Sequence, residues 1–119
     1  GSILLTGYAT STGGATSLSG TASTAVPRTI GRIDAAGNVD TTTGLTDFAA
    51  ANNPRSVASP NGTDLWVCGG AGGIRYATLG AATATQLSTT VANLRQAAIF
   101  GGQLYVSTSS GSAWTPTST

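Results

Sequence analysis

The chain has 119 residues, of which only 8% are charged, with a net charge of +1. Its cations are all Arg (Arg28, Arg32, Arg55, Arg75, Arg95) and its anions all Asp (Asp34, Asp40, Asp47, Asp64), and it contains no Lys, Glu, His or Met. Without His there is no Ser-His-Asp or Cys-His set, without Lys no Walker lysine or Schiff base, and one Cys without His cannot build a zinc site. No catalytic residues, cofactor or metal site are therefore expected, and the chain reads as a non-enzyme. Five separated Arg make no basic patch, so nucleic acid is not an expected partner. No apolar run approaches the roughly 18 residues of a membrane span.

Helix signals are nearly absent, because no stripe at helical spacing forms and the strong helix formers Glu, Lys and Met are missing. Short runs of Val, Ile, Leu, Thr and aromatics bounded by Gly, Asn and Pro instead predict strands. In chain order these are Ile3–Tyr8, Thr29–Asp34, Val39–Thr43, Arg55–Ser59, Leu65–Gly69, Ile74–Leu79, Thr85–Ser88, Arg95–Phe100 and Leu104–Thr108. Ala36-Gly37-Asn38, Pro60-Asn61-Gly62-Thr63 and Gly101-Gly102 supply turns between them. Residues 10–27 are almost wholly Ser, Thr, Gly and Ala and read as a surface insertion. The tail 109–119 has the same character apart from Trp114 and reads as frayed or as an extension. Cys68, in the apolar run Leu65-Trp66-Val67-Cys68, reads as a small buried hydrophobe.

The chain also repeats itself. Asn53-Pro54-Arg55 followed by an apolar strand, a turn and Leu65-Trp66-Val67 aligns with Asn93-Leu94-Arg95, a strand, a turn and Leu104-Tyr105-Val106. Ile30-Gly31-Arg32-Ile33 aligns in the same way with Gly73-Ile74-Arg75-Tyr76. Both offsets are about 40 residues, a period shared by propellers and some solenoids. Four antiparallel strands per period make the blade of a β-propeller.

The expected fold is accordingly all-β: a partial β-propeller of four-stranded antiparallel blades. Residues 3–46 form a partial blade interrupted by the 10–27 insertion, 53–90 a complete blade, 93–108 a second partial blade and 109–119 a tail. The run Gly31-Arg32-Ile33-Asp34-Ala35-Ala36-Gly37-Asn38-Val39-Asp40-Thr41, with Asp64-Leu65-Trp66-Val67, Gly73-Ile74-Arg75-Tyr76 and Ile99 to Ser107, resembles blades of large secreted bacterial β-propeller proteins. The resemblance covers residues 3–108 and rests on structural motifs. It implies a propeller fold and an extracellular or cell-surface setting.

About two and a quarter blades leave a bare face at each end, which a longer chain, a closed ring or an open stack would cover. Copies of the chain itself are the expected partner, about three or four closing a ring. The function that follows is a non-catalytic structural or interaction module that self-assembles. The alternative is a propeller that binds carbohydrate or a small anion. For that alternative the candidate residues are Arg55 and Arg95, which open equivalent strands at the channel, and the aromatics Trp66, Tyr105 and Trp114, with a glycan as partner. The structural reading packs Trp66 and Tyr105 between blades, pairs Arg55 and Arg95 with Asp64 or another Asp, and uses Arg32 and Arg75 to cap or to bridge blades. Asp34 to Asp40 and Asn61-Gly62-Thr63 read as turn chemistry rather than a calcium loop or a glycosylation site.

Overall fold

A computed structural model describes residues 1–14, 17–110 and 115–117. It is all-β among these residues, with strands β1 (Ile3–Tyr8), β2 (Arg28–Ile33), β3 (Val39–Leu45), β4 (Pro54–Ala58), β5 (Asp64–Gly69), β6 (Ile74–Thr78), β7 (Thr85–Ser88), β8 (Leu94–Phe100), β9 (Gln103–Thr108) and β10 (Thr115–Thr117). They form three separate antiparallel sheets: a first sheet β1-β2-β3, a middle sheet β4-β5-β6-β7 and a last sheet β10-β9-β8. None of them closes on itself. Every strand expected from the sequence is present within one or two residues at each end. The tail differs from expectation, since residues 115–117 pair with β9 as a third strand of the last sheet.

Turn chemistry sets the hairpins. Asp34 Oδ1 accepts from the backbone N–H of Ala36 and of Asn38, both at 2.9 Å, and Asp40 accepts from Thr42. Asn61 Oδ1 accepts from the N–H of Thr63 and Asp64, which folds the β4–β5 turn. These are Asx turns, in which a short polar side chain stands in for a backbone acceptor.

Alternation along β5 decides how the sheets stack. Leu65 and Val67 point to one face, and Trp66 and Cys68 to the other. The first pair joins a core with Ile30, Leu45, Phe48 and Ala49, from the first sheet and the link that follows it. Cys68 and Ile74 join a second core with Leu94, Ala97, Leu104 and Val106 of the last sheet, against which Trp66 also packs. The middle sheet is thus covered on both faces. The sheets approach each other along one edge, with β1 beside β4 and β8 beside both β4 and β5.

The repeat is visible in backbone detail. Arg55 is an extra residue in β4, between the pairs Pro54↔Gly69 and Ser56↔Cys68. Arg95 is an extra residue in β8, between Leu94↔Thr108 and Gln96↔Ser107. Both copies therefore carry a β-bulge at the Arg of Asn-x-Arg. The carbonyl of Asn53 accepts from Gly70 N–H at 3.0 Å, and that of Asn93 from Ser109 N–H at 3.3 Å, closing the same corner in each copy.

Candidate functional site

The side chains singled out from the sequence lie mainly along the seams between sheets. Arg55 reaches from the middle sheet to the last one, its Nη1 donating to Asn93 Oδ1 at 2.6 Å and to Leu94 O at 3.0 Å. Arg95 Nη2 donates to Ser109 Oγ at 3.0 Å within its own sheet. The expected pairing of these two Arg with Asp64 or another Asp is corrected here. Asp64 is already taken by Tyr76 Oη, which donates at 2.6 Å, and by Asn61 Nδ2, also at 2.6 Å. These two donors hold the Asp64 carboxyl below its ordinary range, and the carboxylate in turn raises the Tyr76 phenol.

Asn53 and Asn93 play equivalent parts. Tyr8 Oη of the first sheet donates to Asn53 Oδ1 at 3.1 Å, as Arg55 of the middle sheet donates to Asn93 Oδ1. A donor from one sheet thus clasps the Asn that opens the next.

Arg32 and Arg75 both bridge sheets, as expected, but they are not equivalent. Arg32 pairs across from Leu4, which faces the middle sheet, and its Nη1 donates to Gly62 O there at 3.3 Å. Arg75 pairs across from Val67, which faces the first sheet, and meets Asp47 at 3.3 Å. Cross-strand neighbours share a face, so the two Arg point in opposite senses along the stack. The sequence alignment that matched them is off by one residue, enough to flip the face in a strand.

Arg28 received no role from the sequence, yet it is fully buried. It donates five hydrogen bonds: Nε to Ala49 O, Nη1 to Thr21 Oγ1 and Val26 O, and Nη2 to Thr21 O and Asn52 O. Its guanidinium also stacks over Tyr8, 5.0 Å from the ring centre. Burial lowers its pKa from the ordinary arginine value, with Tyr8 opposing, and a guanidinium remains charged nonetheless. It ties the 10–27 segment to the β3–β4 link. Ser23 of that segment is buried as well, donating to Thr46 O at 2.6 Å. The insertion is docked by polar contacts, which leave no trace in hydrophobic periodicity.

Of the aromatic candidates, Trp66 is half-buried in the seam toward the last sheet, with its ring centre 5.3 Å from that of Tyr76. Tyr105 is half-buried on the outer face of the last sheet, 6.0 Å from Phe100. Trp114 lies outside the described residues. The sequence reading gave Phe100 no role, although at 66% it is among the most exposed large apolar side chains. Arg55 and Trp66 thus share the seam between the middle and last sheets, while Arg95 bonds within the last sheet and Tyr105 sits on its outer face.

Cys68 is fully buried, and that burial pushes its thiol up to about 12, against the opposing effects of Arg55 and the Ser56 backbone. Among the described residues no three His, Cys, Asp or Glu side chains come together as a metal site would require. A hollow of about 420 Å³ beside Gly1, Ser2, Leu4 and the 59–62 turn has only hydroxyl, amide and apolar side chains in its lining. A second, of about 260 Å³, contains Asp47, but Arg75 and the Ala84 N–H already hold that carboxylate. No helix among the described residues is long and apolar enough to cross a membrane. No family model, curated protein or solved structure matches the chain.

Proposed function

We propose that this chain is a non-catalytic structural module, a segment of β-propeller that associates with copies of itself into a larger ring. One observation carries the reading: the middle sheet buries both faces between its neighbours, while the end sheets leave Ile3, Leu5 and Val39 at one end and Phe100 at the other in solvent. Stacked antiparallel sheets that meet along one edge and repeat the same bulge and the same Asn clasp suit a radial repeat. The seam roles of Trp66 and Arg55 favour this module over the glycan- or anion-binding alternative, because side chains spent on packing the stack are not free to form a ligand platform. An extracellular or surface setting accompanies the proposal through the resemblance to secreted propellers.

Light scattering on the purified chain tests it. The expected mass corresponds to about three or four copies, which bring the blade number into the propeller range. A monomeric mass together with a cooperative melt would retire the reading.

A further inference from the structure

We infer that copies of this chain join head to tail, the outer face of the last sheet of one copy seating on the outer face of the first sheet of the next. This rests on the self-association proposed above and specifies which surfaces carry it.

In β5 and β9, each next to the strand at the meeting edge, and in β1, which itself stands at that edge, one face looks backward along the stack. In β5 that face holds Leu65 and Val67, both fully buried by the first sheet. In β9 the same register positions hold Leu104 and Val106, buried by the middle sheet to 0% and 3% exposure. In β1, Leu4 packs toward the middle sheet, so its neighbours Ile3 and Leu5 face the other way, and they are 62% and 56% exposed. Ile33 pairs with both Ile3 and Val39, which extends the patch across the sheet, and Val39 is 68% exposed. A face that is covered twice inside the molecule is left bare once.

The forward face has the matching history. Trp66 and the Ala58 paired with it point from the middle sheet toward the last one. Tyr105 and Ala98 hold the same positions in the last sheet, beside the exposed Phe100. At both internal seams a forward face meets a backward face. The bare forward face and the bare backward face lie at opposite ends of one stack, so the complement of each is carried by a second copy.

Charge agrees with this. Ile3, Leu5, Gly31, Ile33 and Val39 on one outer face are uncharged, as are Gln96, Ala98, Phe100 and Tyr105 on the other, where Arg95 is the one cation, at the bulge equivalent to that of Arg55. Exposed apolar side chains gathered on one face mark a contact surface. Docking of these two faces would extend the sense in which the internal seams are already built, with Arg95 set toward the next copy as its equivalent Arg55 is set toward Asn93 and Leu94. A heterologous joint of this kind closes to a ring or runs on as a stack, depending on its rotation.

Two variants, Leu5→Arg and Phe100→Arg, test the joint by light scattering, each checked for a cooperative melt. Each blocks one end, and each is expected to reduce the mass to a single chain. An equimolar mixture is then expected to yield dimers and nothing larger, because it retains one intact forward face and one intact backward face. If Phe100→Arg or Leu5→Arg alone forms a stable dimer, like faces pair with like and the inference is wrong. It is equally wrong if the wild type is oligomeric and neither variant changes its mass, or if mixing restores nothing. A monomeric wild type instead removes the self-association reading and this inference together. Val39→Arg and Tyr105→Arg, on the same two faces, replace any variant that does not melt cooperatively.

Discussion

Replacing Arg28 by Met keeps most of the side-chain volume and removes all five hydrogen bonds. A hydrogen bond to a charged donor contributes about 1.5–3 kcal/mol, so a plain sum would reach about 7–15 kcal/mol. That sum overshoots. Only the bond to Ala49 O is fully buried, while water can reach the other acceptors once the guanidinium is gone. The buried bond at about 2 kcal/mol, a fraction of each of the others, and about 0.5–1 kcal/mol for the contact with Tyr8 give about 3–5 kcal/mol. Urea unfolding followed by tryptophan fluorescence measures it. With a slope of about 2 kcal/mol per molar for a chain of this size, the midpoint should fall by about 2 M. Arg28→Lys should recover only part of the loss, because three donors on one nitrogen cannot fan out to acceptors in both loops. Hydrogen exchange in residues 17–27 and 46–53 should accelerate before it does in β5. A Met variant within about 1 kcal/mol of wild type would refute the claim that this buried cation organises the two loops.

Two further outcomes follow from particular residues. Gly73 has φ 65°, and a Cβ there would overlap the carbonyl of Ser88, so Gly73→Ala should lower stability by at least about 2 kcal/mol. Gly101→Ala, at φ 57° with open space around it, should lose only about 1 kcal/mol in the same urea unfolding, and equal losses would show that the clash at Gly73 does not matter. The Cys68 thiol should resist an aromatic disulfide reagent at pH 8 until the chain unfolds; rapid labelling of the native protein would contradict its burial. Because the folded state raises this acid from 9.0 to about 12, its contribution to stability is fully present below pH 9 and is lost as pH rises toward 12. Melting midpoints of wild type should therefore drop over that window more than those of Cys68→Ala.

Much of this architecture was legible in the sequence because strands and hairpins are local. Alternation in Leu65-Trp66-Val67-Cys68 gave the two faces of β5, Asn61-Gly62 gave the turn before it, and the recurrence of Asn-x-Arg gave the equivalence of β4 with β8. The polar work of the fold was not legible. Arg28 lies in a run with no apolar period, and its acceptors are four carbonyls and one hydroxyl in the loops before β2 and after β3, so no pattern marks it. The roles of Arg55 and Arg75 depended on which neighbour each face meets. Pairing by opposite charge proved a poor guide where an Asn and a backbone carbonyl were nearer than any Asp.

By itself the sequence determined the class, the strand positions and the repeat, because alternation and turn residues act over a few neighbours and need no partner at a distance. Tertiary structure alone decided which face of each sheet is covered, and so which apolar pair stays in solvent: the alternation of Ile3 and Leu5 is the same as that of Leu65 and Val67 or of Leu104 and Val106, yet only the first pair is bare. It also decided that Arg32 and Arg75 point in opposite senses, since a single residue of register reverses a strand's face. Burial is a property of what lies across the seam, and a strand does not encode its neighbour.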